Sequence, residues 1–316
     1  MRKAIVLITL LLLLAGAAIT IFLVREVRKP LPTSVAWRPH VTTFAGDGAP
    51  LPRDNQQPTQ AGFSDPFGIA IADDGTIYVA DAGESNRIRK ITPEGIVTTF
   101  AGSSEGFADG AGAAAAFNTP SALAIDSNGN LYVADTGNNR IRKVTPQGEV
   151  STIAGDGTAG YADGPAAQAR FNGPIGIAVV ANGNVFIADT YNDRIRMISP
   201  DGQVSTVAGA GLGFSDGDRN SSRFDTPCGV ISLTDGSLIV ADTGNDRLRK
   251  ITPDGNVSTL PVNINGEEIS NPVGLALTHD NFLYVTELDR SRVIQIAPDG
   301  TARVIAGRGS GFANGS

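Results

Sequence analysis

The chain has 316 residues, of which 25 are basic and 32 are acidic, giving a formal net charge of −7. The first thirty residues hold five basic residues and one acidic residue, so the remainder carries a net charge of −11. Phosphate backbones repel a body this acidic, which argues against nucleic acid as a partner. The single cysteine, Cys228, excludes an intramolecular disulfide, so stability must come from a buried core.

An uncharged segment of 21 residues runs from Ala4 to Val24. At about 1.5 Å per helical residue it is long enough to cross the ~30 Å hydrocarbon core of a bilayer. It predicts an uncleaved signal anchor, a transmembrane helix within residues 1–29. A cleaved signal peptide is the competing interpretation, because Arg2-Lys3 and the following leucines also suit an n-region and an h-region.

The orientation of this segment does not follow from charge, because basic residues flank both of its ends. A very short N-terminal tail before a large body favours export of the body. We therefore expect a membrane-anchored protein whose body is periplasmic or extracellular. Residues 30–40 contain prolines and are predicted to be a stiff linker.

Residues 41–316 are dominated by an internal repeat, with copies near 65–102, 118–155, 172–209, 225–262 and 270–307. Each copy has four short apolar or β-branched runs separated by turn residues such as Asn-Gly and Pro-x-Gly. No part of this region shows a sustained helical period. Four antiparallel strands in a repeat of roughly 40 residues predict an all-β propeller with one blade per copy.

The amino-acid pattern of the repeat is distinctive. Pro-x-Gly-Ile-Ala is followed by Leu-Tyr-Val-Ala-Asp-Thr-Gly-Asn-Asn-Arg-Ile, and variants of this run recur from Asp65 to Gly307. The pattern resembles the NHL repeat. The resemblance implies an NHL-type β-propeller of four-stranded antiparallel blades. Because such propellers have many roles, it implies a fold more strongly than a function.

Two flanking segments bear on the number of blades. His40–Gly46 reads HVTTFAG and matches the fourth, outer strand of a blade without its first three strands. The last residues, AGRGSGFANGS, match linkers such as AGAGLGFSDG that precede a first strand. We expect a six-bladed design seen without its last blade, with five full repeats and an orphan outer strand. The alternative is a five-bladed ring with one surplus strand.

One acidic residue per copy closes the second strand, and an arginine follows it at short spacing. The acidic residues are Asp81, Asp135, Asp189, Asp242 and Glu287, and the arginines are Arg87, Arg140, Arg194, Arg247 and Arg292. The favoured interpretation is that each carboxylate holds its own loop by bonding backbone N–H groups or the arginine. The alternative is an acidic ring that recognises a cation or a polar ligand. The Arg-Ile-Arg-Lys runs of the third strands are predicted to form a solvated face with local salt bridges.

The linkers between copies carry an aromatic-small-Asp-Gly motif, at residues 107–110, 161–164 and 214–217. We expect its aromatic residue to plug the junction between blades. In antiparallel blades the second-to-third-strand loops and the linkers share one face, and long loops on one face commonly bind partners. The predicted binding residues are therefore Asp81, Asp135, Asp189, Asp242, Glu287, Asp109, Asp163 and Asp216.

A metal-dependent alternative centres on Asn118, Asn172 and Asp225, each two residues before a proline and expected near the mouth of the central channel. The chain more distantly resembles gluconolactonase-like propellers, which implies a divalent metal there. Their pattern calls for a Glu two residues before Pro and an Asn between Pro and Gly. Here the residue after Pro is Phe67, Ser121, Ile175, Cys228 or Val273. No cofactor is predicted, and Ca²⁺ enters only with this alternative.

The prediction for function follows from these features. We expect a membrane-tethered, non-catalytic scaffold outside the cytoplasm that binds a protein, a peptide or a glycan on the face with the linkers. The alternative is a metal-dependent, gluconolactonase-like hydrolase with its site at the channel mouth. Only His40 and His279 are available for histidine chemistry, and neither has the context of a catalytic triad or a zinc site.

Overall fold

The structure is a computed structural model and describes residues 39–307, 309 and 311. The predicted anchor within residues 1–29 and nearly all of the linker at 30–40 lie outside the described residues. Within the described part of the chain, no helix is long and apolar enough to cross a membrane.

The repeats form five blades of antiparallel strands, as predicted. Blade 1 contains β1 (Asp65–Ile71), β2 (Ile77–Ala82), β3 (Arg87–Ile91) and β4 (Val97–Ala101). Blade 2 contains β5 (Gly110–Ala111), β6 (Pro120–Ile125), β7 (Leu131–Asp135), β8 (Arg140–Val144) and β9 (Glu149–Ala154). Blade 3 contains β10 (Gly164–Pro165), β11 (Pro174–Val179), β12 (Val185–Asp189), β13 (Arg194–Ile198) and β14 (Gln203–Ala208).

The last two blades follow the same order. Blade 4 contains β15 (Pro227–Ser232), β16 (Leu238–Asp242), β17 (Arg247–Ile251) and β18 (Val257–Leu260). Blade 5 contains β19 (Pro272–Leu277), β20 (Leu283–Glu287), β21 (Arg292–Ile296) and β22 (Ala302–Ala306). Short 3₁₀ turns lie in linkers or after second strands, at Pro58–Gln60, Gly112–Ala114, Thr136–Asn138, Thr190–Asn192 and Thr243–Asn245.

The linkers reach further than the sequence indicates. In blade 2 the linker runs down the open edge of the blade, where Gly110 pairs with Val150, and Gly112 N donates to Gly148 O at the far end, 3.0 Å away. Blade 3 repeats this arrangement with Gly164 and Val204. The linker thereby pairs backbone groups that an edge strand would otherwise expose.

The hydrophobic core lies between blades rather than within them. Because side chains alternate along a strand, each blade presents one apolar face to the preceding blade and one to the next. Between blades 2 and 3, Ile141 packs with Phe171, Ile177 and Ile187. Inner strands approach closely where a glycine lacks a side chain: a Cβ on Gly176 would lie 2.2 Å from the carbonyl oxygen of Cys228.

The five inner strands form an incomplete ring. β1 lies beside β6, β6 beside β11, β11 beside β15, and β15 beside β19, but β19 and β1 make no comparable contact. The predicted orphan strand within HVTTFAG is not observed as a strand, since only Val41 has bridge geometry in that segment. In each of the five blades the outer strand pairs with a third strand, and among the described residues no third strand lies beside this segment.

Candidate functional site

A fully buried arginine occupies the third strand of each of the first four blades, at Arg89, Arg142, Arg196 and Arg249. In blade 2, Arg142 Nη1 donates to Asp135 Oδ2 at 2.6 Å and Nη2 donates to Asp109 Oδ1 at 2.7 Å. The same two nitrogens donate to the carbonyl oxygens of Ala116 and Ala108. One guanidinium therefore joins the end of the second strand to both the outgoing and the returning parts of the linker.

We call this set the Arg–Asp–Asp cluster: a third-strand arginine, the aspartate that closes the second strand, and a linker aspartate. Its copies are Arg142 with Asp135 and Asp109, Arg196 with Asp189 and Asp163, Arg249 with Asp242 and Asp216, and Arg89 with Asp81 and Asp54. The prediction that the third-strand arginines belong to a solvated face is wrong for these four residues, because the linker covers them. Asp54 was not predicted, because Pro52 replaces the aromatic residue of the motif.

The aspartates that close the second strands hold loops, as the favoured interpretation predicts. Asp135 Oδ1 accepts the backbone N–H of Asn118 at 2.8 Å, and Oδ2 accepts the amide of Asn138 at 2.9 Å as well as Arg142. Burial raises the pKa of Asp135, although these same three bonds oppose that rise. The arginine partner is two residues beyond the predicted Arg140. A ligand-binding role for these fully buried carboxylates stays a prediction.

Blade 5 departs from the cluster. Ile294 stands at the buried arginine position, and Glu287 pairs instead with Arg292, the arginine that the sequence predicts for this blade. Glu287 Oε1 also accepts the backbone N–H of Ser270 at 2.7 Å. Hydrogen bonding to Glu287 raises the pKa of Arg292. The longer glutamate side chain thus performs the loop-holding role without a buried guanidinium.

The linker aromatics do not plug the blade junctions as predicted. Phe107, Tyr161 and Phe214 are 47%, 47% and 53% exposed. Each ring lies over the buried arginine of its blade; for Arg142 the Cζ atom is 4.9 Å from the Phe107 centroid. A second ring, Phe117, lies 5.1 Å from the same Cζ atom and is fully buried. The guanidinium therefore contacts one exposed and one buried ring.

The buried rings Phe117, Phe171 and Phe224 are the residues that fill the junctions, and the sequence analysis missed them. The available signal was a phenylalanine directly before Asn118, Asn172 and Asp225, three residues ahead of the first-strand proline. Its recurrence marks a core position, whereas the aromatic residues beside the Asp-Gly motif lie on the surface.

The linker aspartates are partly exposed and charged. Asp109 Oδ1 accepts Arg142, and Oδ2 accepts the backbone N–H of Thr152 at 3.2 Å. Partial burial alone would raise the pKa of Asp109, but the bonds from Arg142 and Thr152 outweigh it and hold the pKa below its usual value. Partial burial would likewise raise the pKa of Asp216, but the bonds from Arg249 and Thr259 outweigh it and lower that pKa. These predicted binding residues therefore carry negative charge at the surface.

The second-to-third-strand loops and the linkers share one face, as expected for antiparallel blades. The amides of Asn138, Asn192 and Asn245 donate to the linker carbonyls of Gly106, Gly160 and Gly213 at 2.7–2.9 Å. We call residues 103–109, 136–139, 157–163, 190–193, 210–216 and 243–246 the loop face. Tyr191 and Leu212 add exposed apolar side chains to it.

The residues of the metal alternative lie beside these loops. The side-chain amide of Asn118 donates to Glu105 Oε1 at 3.3 Å, and the backbone N–H groups of Asn172 and Asp225 donate to Asp189 and Asp242. Among the described residues no group of three or more His, Cys, Asp or Glu side chains is placed to hold a metal ion.

The opposite face contains a feature that the sequence did not indicate. A cleft of about 760 Å³ lies between blades 3 and 4 and is lined by Val180, Phe186, Met197, Leu233 and Arg219, among others. Ser232 lines it at the register that Ile125 and Val179 occupy in blades 2 and 3. This smaller side chain helps leave the space open. The sequence shows only ordinary turns on this face.

The repeats of this chain match a known family. The family model described as "NHL repeat" matches residues 63–91, 117–144 and 171–196. Each match runs from the phenylalanine before a first strand to the third strand of blades 1, 2 and 3. Each match therefore includes the aspartate that closes the second strand and the buried arginine of the third strand.

The chain is also similar to longer curated proteins. The chain is 33% identical over 167 residues to "Protein SUPPRESSOR OF QUENCHING 1, chloroplastic" of Arabidopsis thaliana, covering 49% of this chain and 16% of that protein. It is 34% identical over 171 residues to "NHL repeat-containing protein 2" of Gallus gallus, covering 49% and 23%. The chain thus spans less than a quarter of either relative.

Among solved structures, a putative gluconolactonase superposes with a TM-score of 0.56 at 17% identity, covering 79% of each chain. At this identity the likeness concerns the propeller fold alone.

Proposed function

We propose that this chain, which belongs to the NHL-repeat proteins, is a membrane-tethered and non-catalytic propeller that binds a protein or peptide on its loop face. The observation that carries the proposal is the row formed by Phe107, Tyr161 and Phe214, repeated on three adjacent blades and half-exposed on each. We call these three residues the aromatic row. A glycan ligand would also use such rings, and the experiments below distinguish it.

The aromatic row has the properties of a binding surface. Aromatic side chains are enriched among residues that dominate binding energy, and rigid anchors lose little conformational entropy on binding. Here the Arg–Asp–Asp cluster holds each ring: Tyr161, for example, lies over Arg196 and its hydroxyl lies 2.9 Å from Thr206 Oγ1. The neighbouring aspartates favour a ligand segment with basic residues.

The proposed arrangement in the cell is an anchor within residues 1–29, a linker at 30–40 and a propeller at 41–316 that is periplasmic or extracellular. Its support is the uncharged run from Ala4 to Val24. The six-bladed design is also part of the proposal, and its support is the gap in the ring of inner strands between β19 and β1.

The anchor makes a direct prediction. Replacing Leu12 and Leu13 together with arginine is expected to move the protein from the membrane pellet to the soluble fraction. Each central arginine costs about 2.5–3.5 kcal/mol of insertion free energy. The matched control replaces the same residues with isoleucine and should stay in the pellet. Carbonate-washed membranes provide the readout, and unchanged pelleting of the arginine variant would exclude this anchor.

The binding proposal predicts a loss of affinity without unfolding. Peptides selected from a displayed random library on the immobilised protein are expected to bind the Phe107→Ala, Tyr161→Ala, Phe214→Ala triple variant about 30-fold more weakly or worse, since one hot spot contributes about 2 kcal/mol. Val304→Ser, an exposed apolar change on blade 5, is the control and should leave affinity unchanged. Fluorescence anisotropy with labelled peptide measures both variants.

Three outcomes would contradict the proposal. Selected peptides that bind the triple variant as tightly as the parent protein would place the site elsewhere. Selective capture of glycans on an array, with no enrichment of peptides, would mean that the ligand is a glycan and not a protein or peptide. Stoichiometric Ca²⁺ binding together with hydrolysis of aldonolactones would favour the lactonase alternative, whose present support is fold likeness alone.

A further inference from the structure

The cleft between blades 3 and 4 is a departure from the repeat. Its volume is about 760 Å³, and sites that bind small molecules usually have roughly 300–1,000 Å³. Stacked repeats pack on their neighbours in the same way at each junction, so a space at one junction calls for a local cause. The cause lies in residues on both walls that differ from those at the same positions of the other blades.

The blade 3 wall of the cleft is apolar at a position where the other blades are polar. Met197 in the third strand pairs with Phe186 in the second, and both line the cleft. The residues at the position of Met197 in the other blades are Lys90, Lys143, Lys250 and Gln295. In blade 2 the ammonium of Lys143 lies over the ring of Tyr132, 5.7 Å from its centroid. Phe186 and Met197 instead present an uncharged ring and a thioether, which suit contact with an aromatic group.

The blade 4 wall lacks a branched aliphatic side chain. Ser232 in the first strand pairs with Leu238 and lines the cleft. The residues at the position of Ser232 in the other blades are Ile71, Ile125, Val179 and Leu277. The Ser232 hydroxyl donates to Leu233 O at 3.2 Å, so it has a partner within its own blade. The missing aliphatic carbons account for part of the space.

A side-chain amide without a hydrogen-bond partner among the described residues lines the inner part of the cleft, beside the first and second strands of blade 3. In blade 2, Asn130 Nδ2 donates to Asp126 Oδ2 at 2.8 Å, and the Tyr132 hydroxyl donates to the same oxygen at 3.3 Å. The residues at these positions in blade 3 are Asn184, Val180 and Phe186. The half-buried amide of Asn184 has therefore lost the acceptor that its counterpart has, and an oxygen of a ligand would replace it.

The outer part of the cleft carries a positive charge. Arg219 is the one charged residue among the described residues of the lining, and it belongs to the linker of blade 4. Its Nη2 donates to Asp254 O at 2.8 Å, in the turn between the third and fourth strands. Gly112 and Ala166 hold this linker position in blades 2 and 3, where a backbone N–H bonds the turn instead.

The guanidinium of Arg219 is available to an anion. Its bond to Asp254 O is its only hydrogen bond to the part of the chain that the structure describes, and a guanidinium has five N–H donors. The Asp254 carboxylate accepts the Thr252 hydroxyl within its own turn. Arg219 is exposed, so an anion bound at the edge of the cleft reaches it without displacing a buried group.

We propose that the cleft is a binding site for a small aromatic carboxylate. The ring system lies against Phe186 and Met197, and the carboxylate pairs with Arg219 at the outer end of the cleft. An oxygen on the far side of the ring accepts the amide of Asn184. A recess between two blades with apolar walls and a few polar groups suits a small molecule. The inference does not depend on the proposed ligand of the loop face, because the cleft lies on the opposite face.

The test compares three probes of similar shape on the full chain in lipid nanodiscs. Methoxynaphthylacetate carries a carboxylate, methoxynaphthylethanol is neutral and methoxynaphthylethylamine is a cation. Equilibrium dialysis with naphthalene fluorescence as the readout, and with empty nanodiscs as the blank, measures the binding of each probe. We expect saturable binding of the carboxylate and binding of the other two that is about 5-fold weaker or worse, because only the carboxylate forms a charge-assisted bond.

Two variants test the polar ends of the cleft. Arg219→Gln should remove the preference for the carboxylate. Arg223→Gln is the matched control and should preserve it, because Arg223 is an exposed arginine of the same linker that bonds Leu212 O and is not part of the lining. Asn184→Leu should weaken the binding of methoxynaphthylacetate but not of naphthylacetate, which lacks the ether oxygen.

Ser232→Ile tests the cleft itself. It restores the branched side chain of the other blades, so the binding of all three probes should be lost. The Tm should stay equal or rise, because the substitution fills a space, and the loss of binding is then not a loss of folding. The proposal is overturned if no probe binds saturably or if the parent chain binds all three probes equally. It is also overturned if Ser232→Ile or Arg219→Gln binds the carboxylate as tightly as the parent chain does.

Discussion

Replacing Arg196 with leucine is expected to lower the free energy of unfolding by about 3–5 kcal/mol, because it leaves two carboxylates without their cation. Arg196 is fully buried and bonds Asp189 at 2.7 Å and Asp163 at 2.6 Å. It also donates to the carbonyl oxygens of Arg170 and Ala162, which would lose their partners. Urea unfolding monitored by far-UV circular dichroism measures this decrease in the free energy of unfolding.

Arg194→Leu is the matched control. Arg194 lies two residues earlier on the same strand, is only half-buried, and its guanidinium lies 4.2 Å from the Tyr161 centroid. Its loss should cost about 1 kcal/mol or less. Adding Asp163→Asn and Asp189→Asn to Arg196→Leu should recover part of the stability, because the uncompensated charges are removed. Equal costs for Arg194→Leu and Arg196→Leu would mean that the cluster is not the stabilising feature.

Phe171→Ala is expected to cost about 3–5 kcal/mol, the usual range for removing a buried phenylalanine. Phe171 is fully buried between blades 2 and 3 with Ile177 and Ile187, and its ring supports Arg196 at 5.2 Å. The substitution therefore opens a cavity in the junction and removes one of the two rings that flank the guanidinium.

Tyr161→Ala removes the other ring and separates these effects. Because Tyr161 is half-exposed, its loss should cost about 1 kcal/mol or less while weakening peptide binding. Phe171→Leu should lie between the two alanine variants. If Tyr161→Ala proved as destabilising as Phe171→Ala, the aromatic row would belong to the core and the binding proposal would lose its basis.

The blades were predictable because the same pattern of apolar and turn residues occurs in all five copies of the repeat. Each short apolar run ends at a turn that favours positive φ, so boundaries such as Leu131–Asp135 follow from the sequence itself. The role of Asp135 was predictable for a similar reason. A carboxylate at a strand end beside a tight loop is well placed to accept backbone N–H groups.

The partners of that carboxylate were harder to predict. Arg140 and Arg142 lie on the same side of β8, so the alternation of side chains cannot tell which one reaches Asp135. Which arginine reaches Asp135 depends on where the linker returns to the blade. That path is fixed by contacts between residues more than thirty positions apart, such as Arg142 and Asp109. The same long-range path decides that Phe117 is buried and Phe107 is exposed.

Hydrogen exchange of the full chain, with and without a selected peptide, tests the central claim most directly. The account predicts slowed exchange in the linker segments 103–109, 157–163 and 210–216, where the aromatic row lies. Slowed exchange confined to the cleft between blades 3 and 4, or to β1 where the ring of inner strands is incomplete, would contradict it and would place the binding surface away from the loop face.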